Sequence, residues 1–264
     1  MKGFGLFFGP LSGLLSLSLI AQKYPYLKTI LNNHLPNALE AHAKVSRSNR
    51  FSDLSHGFIG SILILNYLKK QKWLSGQDLV CKALVSERQK LRSSIESMLQ
   101  LRFKGVLHGC ESLCLIWDEV ETSCRDLSDK IIEKVREGII GASMECSPNW
   151  CNGLIGIPLN KWAKFPQLNR VCHEAMLIEQ KVRNELTFDP SNFENWFPCH
   201  GEIIALSSNS ESQNRQILSA VSTKSIEIEK PITLSYGTGL TGVISTLLGN
   251  ESWLIRALES VSQN

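Results

Sequence analysis

The chain has 264 residues, 43% of them hydrophobic, and a mean hydropathy near zero, enough to bury a core in one large domain or two small ones. Its 28 basic and 25 acidic residues leave a formal charge of only +3, which excludes a strong electrostatic footprint for nucleic acid or an anionic membrane. Eight cysteines (81, 110, 114, 124, 146, 151, 172 and 199) form an even set, but a chain this long and apolar has no need of staples, so they are read as thiols.

The N-terminus opens on Met1-Lys2 and an apolar run to Ala21, which has the outline of a signal peptide. Pro10 interrupts the run, however, and cleavage after Ala21 would leave the bulky Leu19 where a small residue is wanted. The run is therefore read as part of the fold. It also opens the first copy of a repeat.

That repeat is a small-residue motif followed by an apolar helix, and it recurs six times. Its copies are Pro10-Leu11-Ser12-Gly13, Gly57-Phe58-Ile59-Gly60, His108-Gly109-Cys110-Glu111-Ser112, Gly153-Leu154-Ile155-Gly156, Gly201-Glu202-Ile203-Ile204 and Gly239-Leu240-Thr241-Gly242. Counted from residues 10, 57, 109, 153, 201 and 239, the steps are 47, 52, 44, 48 and 38 residues, the length of a helical hairpin with its loops. Between the motifs lie amphipathic stretches. Residues 77–101 place Leu79, Val80, Ala83, Leu84, Leu91, Ile95, Met98 and Leu99 at helical spacing among polar residues. Residues 127–140 and 169–186 read the same way, the latter stopped by Asp189-Pro190. The clearest strand-like alternation is short, at residues 225–229.

Inner helices that are apolar nearly all round, alternating with amphipathic outer ones, predict an all-α fold of two concentric helix layers over residues 1–264, an α/α toroid. Motif glycines three apart are expected to let neighbouring helices approach closely where the ring narrows, at about 1 kcal/mol of helix propensity each. A shared polarity would gather the motif loops at one end. Asp53, His56, His108, Trp150, Cys151, Cys199, His200 and Tyr236 all neighbour a motif, whereas His34, His42 and His173 do not. Cys172-His173 serves as a control, because adjacent helical residues diverge by about 100° and so suit core packing and solvation, not one metal. An α/α-barrel glycosidase would need paired carboxylates at the mouth, where sulfur and imidazole predominate instead.

Two thiols and an imidazole, Cys151 with Cys199-His200, are a donor set that leaves a tetrahedral zinc one open position. The motifs WCNGLIG, PCHG, VLHG, DLSHGFIG and GTGLTG, in order and spanning essentially the whole chain, resemble the lanthionine synthetase C-like family, the cyclases of lanthipeptide biosynthesis. The resemblance implies a toroid of seven hairpins, of which six are visible here and the first is lacking. It implies zinc on Cys151, Cys199 and His200, an acid–base histidine at His108, and an aspartate at Asp53 that orients it or keeps it protonated. Trp150 is then packing beside the metal, and His56, with no counterpart in the family's pattern, a bystander. The plain alternative for Asp53 is a cap for the helix that follows Gly57.

The activity so implied is addition of peptide cysteine thiols to dehydroalanine or dehydrobutyrine, closing thioether rings in a dehydrated precursor peptide. A dehydratase and an export transporter are the implied partners, in the cytoplasm or at the inner face of the membrane, with no transmembrane segment and no nucleic acid. Two other readings remain open: a related zinc enzyme that adds glutathione or another small thiol, and a non-catalytic peptide-binding subunit. The chain departs from the family pattern at Ser147, where an arginine is common, and at Ile204, Ser112 and Pro10, where small or glycine residues are expected.

Overall fold

In a computed structural model the described residues are 5, 9–48, 51–101, 105–146, 153–154, 157, 159–185 and 219, and every regular element among them is a helix. The elements are α1 (Pro10–Lys23), α2 (Leu27–Ser48), α3 (Phe58–Lys70), α4 (Gln77–Arg88), α5 (Leu91–Gln100), a 3-10 helix (Cys110–Ile116), α6 (Trp117–Cys124), a short 3-10 turn (Arg125–Leu127), α7 (Ser128–Glu145), α8 (Leu159–Trp162) and α9 (Pro166–Glu185). The motifs at residues 201 and 239 and the strand-like stretch at 225–229 lie outside the described residues, as do Ser147, Ile204 and Tyr236. Among the described residues no helix is long and apolar enough to cross a membrane.

The chain divides into two compact units, with residues up to 101 and 107–134 in the first, and 105–106 and 135–185 in the second. At the centre of the first unit is α3, buried from Phe58 to Leu65 and again at Tyr67 and Leu68. Fully burying each of its Leu and Ile side chains is worth roughly 1.5–3 kcal/mol, which makes α3 the main apolar anchor of this unit. α1, α4, α5 and the 3-10 helix pack on it. α1 begins at Pro10, a residue suited to the first helical position because its missing N–H would have had no partner there. α2 pairs with α1 and α4 through a stripe of Leu31, Leu35, Leu39, His42 and Ser46. Pro36, inside α2, leaves the carbonyl of Asn32 without its intrahelical donor.

Residues 77–101 do not form the single helix that their periodicity predicts. α4 ends at Arg88 and α5 begins at Leu91. At the break Lys90 N–H donates to the Glu87 carbonyl at 3.0 Å, a tighter turn than the α-helix allows. The stripe of Val80, Leu84, Glu87, Leu91, Ser94 and Met98 stays in helical phase across the break, so the apolar pattern carries no sign of it.

The seam between α2 and α4 ends in a buried polar cluster. Glu87 Oε1 accepts from Ser46 Oγ at 2.7 Å and lies 3.3 Å from His42 Nε2, and Lys90 Nζ donates to Ser46 at 2.7 Å. Burial would raise the Glu87 carboxyl, but His42, Ser46 and Lys90 outweigh it and hold the group below the usual carboxylate range. A second buried acid, Glu119 on α6, accepts from Asn66 of α3 at 3.1 Å and pairs with Arg88.

In the second unit α8 packs on α9, which buries Leu168, Cys172 and Ala175 at helical spacing. Cys172 is inside and His173 exposed, the divergence expected of neighbouring helical residues.

Candidate functional site

The loop that leads into α3 is built by its own backbone. Phe58 and Ile59 are the first N–H groups of α3, and they donate to the carbonyls of Phe51 and Ser52, each at 3.3 Å. Asp53 therefore does not cap the helix, whose preceding residue Gly57 makes no side-chain cap bond. Asp53 closes the turn before it: Oδ1 accepts the His56 N–H at 2.6 Å, and its carbonyl accepts the Gly57 N–H at 3.1 Å.

Gly57 is required by a close approach. A Cβ there would run into the Phe51 carbonyl group and the Ser52 nitrogen, all backbone. The glycine thus serves the loop, not the helix–helix contact that the repeat suggested. At Gly13 that expectation fails outright, since a Cβ would meet nothing within 4 Å.

The second motif loop lies directly against the first. The Leu107 carbonyl accepts the N–H groups of Leu54 at 3.2 Å and Ser55 at 3.3 Å. Gly109 then opens the 3-10 helix, where an α-helix was expected. Ser112 stands in the place of a second glycine, and its N–H at 3.3 Å and its hydroxyl at 2.9 Å both donate to the Gly109 carbonyl. That three-residue bonding pattern is the 3-10 geometry, and it accommodates a fully buried serine.

These loops bring Asp53 and His108 together. His108 Nδ1 lies 2.8 Å from Asp53 Oδ2. Against an ionised carboxylate that nitrogen must carry the proton, so Nδ1–H donates and Nε2 is left for other chemistry. Burial would raise the Asp53 carboxyl, but hydrogen bonds from His108 and then His56 outweigh it, holding the group down at about 2 from an ordinary 3.8. The side chains of Asp53 and His108 are 15% and 25% exposed, enough to be reached from solvent.

His56, read from the sequence as a bystander, lies beside them. Its Nδ1 lies 3.4 Å from the same Asp53 Oδ2, and its ring stacks on that of His108 with centroids 5.4 Å apart and planes 15° from parallel. One donor atom from each of Asp53, His56 and His108 falls within 4.8 Å of the others. Asp53-x-x-His56 just ahead of a motif glycine was the available signal. The turn that folds His56 back toward Asp53 was what the sequence did not display.

The other predicted site residues, Trp150, Cys151, Cys199 and His200, lie outside the described residues. The donor set of two thiols and one imidazole suits zinc in chemical type and in number. Among family models, characterised proteins and solved structures, none matches the chain.

Proposed function

We propose that the chain is a thioether-forming peptide cyclase of the lanthionine synthetase C-like kind, an α/α toroid with its chemistry at the motif loops. The observation that carries this reading is the 2.8 Å contact between Asp53 Oδ2 and His108 Nδ1, a carboxylate–imidazole pair made by two neighbouring copies of one motif. Cys151, Cys199 and His200 would hold zinc, which when bound keeps a substrate thiol ionised at neutral pH.

In this reading Asp53 and His108 handle the proton. As a peptide thiolate adds to the β-carbon of a dehydroalanine, the electron pair of the double bond passes to the carbonyl oxygen, and the α-carbon must then take a proton. His108 Nε2–H is the donor, with Nδ1–H held on Asp53 so that the neutral imidazole left behind keeps one tautomer. The Asp53 carboxylate stabilises the imidazolium before transfer and fixes the ring's direction. The proton lost by the thiol balances the proton gained by the α-carbon, so ring closure is an isomerisation. In this reading the substrate is a dehydrated precursor peptide, and a dehydratase and an export transporter act alongside, in the cytoplasm or at the inner membrane face.

Ser147 favours a second reading, because an arginine is common at that place in the family pattern. A chain lacking it would bind the precursor peptide without closing rings. One assay separates these readings and the addition of a small thiol. A peptide with one dehydroalanine and one cysteine is incubated with the protein and glutathione, then alkylated. A cyclase removes the thiol without changing the mass, a glutathione-adding enzyme raises the mass by one glutathione, and a binding subunit retains the peptide with its thiol intact.

A further inference from the structure

We infer that Asp53, His56 and His108 form a binding site for a first-row divalent cation such as zinc, with a ligand set separate from Cys151, Cys199 and His200. The two imidazoles do not merely sit near a carboxylate. Both direct Nδ1 at the same oxygen, Asp53 Oδ2, at 2.8 and 3.4 Å, from rings stacked 15° from parallel. Donor atoms around a tetrahedral zinc stand about 3.4 Å apart, given bonds of about 2.0–2.1 Å. Here all three lie within 4.8 Å of one another, close to that spacing. The His56 side chain is 31% exposed, so a cation can reach the rings from solvent.

The surroundings are those of a held site. Asp53 Oδ1 accepts the His56 backbone N–H at 2.6 Å, which fixes the carboxylate with Oδ2 turned to the rings. The Leu107 carbonyl, accepting from Leu54 and Ser55, locks the two loops that carry the ligands. Two imidazoles with one carboxylate are a nitrogen-rich borderline set, which selects zinc, cobalt, nickel or iron over magnesium and calcium. Three protein ligands leave a position for water, so binding is weaker than at a closed structural site. A cation here would take the nitrogen and oxygen that align the proton donor, so excess zinc would inhibit ring closure. That consequence rests on the cyclase reading, whereas the binding does not.

The test is Co2+ binding to the full-length chain carrying Cys151→Ala and Cys199→Ala, with its helical content checked by circular dichroism. The expected result is about one Co2+ per chain, with visible d–d absorption and no thiolate-to-cobalt charge-transfer band. Adding His56→Ala should weaken that binding by more than about 100-fold, since losing even an outer partner of a ligand costs 10–100-fold. If the folded double variant binds no Co2+, or if His56→Ala leaves its affinity unchanged, the inference is overturned. Should the double variant lose its helical signal, zinc counted on the otherwise unaltered chain decides. There His56→Ala must lower the ions bound at saturation by one, and equal counts overturn the inference. No readout depends on ring closure, so a failed cyclase reading would leave all of them unmoved.

Discussion

Gly13 and Gly57 belong to two copies of one repeat, at the last and the first position of their motifs, and alanine should act in opposite directions at the two. At Gly57 the added methyl meets backbone, the Phe51 carbonyl group and the Ser52 nitrogen, which cannot swing aside as a side chain can. Overpacking of this kind costs about 1–3 kcal/mol. The same backbone caps α3, because Phe51 and Ser52 accept from Phe58 and Ile59, and displacing it weakens two hydrogen bonds worth about 1 kcal/mol each. Gly57→Ala should therefore destabilise the fold by about 3 kcal/mol or more. At Gly13 the methyl meets nothing within 4 Å, and the residue lies within α1. Gly13→Ala should stabilise by about 0.5–1 kcal/mol, the helix-propensity difference. Urea unfolding followed by circular dichroism measures both. A Gly57→Ala variant within 0.5 kcal/mol of the parent, or a Gly13→Ala variant that loses stability, would refute the close-approach argument.

The Asp53 carboxyl is held at about 2 in the fold against 3.8 when free, so its contribution is present above pH 4 and lost as the pH falls through 2. The difference is worth about 2 kcal/mol, and Asp53→Asn should flatten the acid limb of stability between pH 4 and 2.5. Equal acid slopes in parent and variant would remove Asp53 as the cause. Cys172 is fully buried and burial pushes its thiol up to about 11, whereas Cys146 is exposed. Under native conditions at pH 8 iodoacetamide should modify Cys146 and spare Cys172, as peptide mapping would show; equal labelling would contradict the placement of α9.

The sequence reveals those parts of the fold that follow from periodicity. α3 is apolar on every face and sits at the centre of its unit, while α7 and α9 carry one apolar stripe each over nearly the expected residues. Three features escape that logic. The break between α4 and α5 preserves the phase of the stripe. After Gly109 the chain takes 3-10 geometry, with Ser112 bonding back to the Gly109 carbonyl through both its N–H and its hydroxyl. Glu87 joins His42 and Ser46, more than 40 residues away, at a seam where periodicity expects only apolar contacts. At the site, the repeat phase placed Asp53, His56 and His108 alike beside their motifs, and it was the family resemblance that selected Asp53 and His108 and set His56 aside. His56 required knowing that the Asp53 turn folds it onto the same carboxylate oxygen, a fact of backbone geometry rather than spacing.

In the proposed reaction His108, aligned by Asp53, delivers the proton that completes ring closure. It is tested most directly by single-turnover cyclisation of a peptide carrying one dehydroalanine and one cysteine, comparing the parent chain with His108→Ala at matched zinc content. The account predicts that the parent consumes the thiol without a mass change, and that His108→Ala binds the same peptide but closes the ring at least about 100-fold more slowly. Equal rates in the two proteins, or a parent that binds the peptide and leaves its thiol alkylatable, would contradict it.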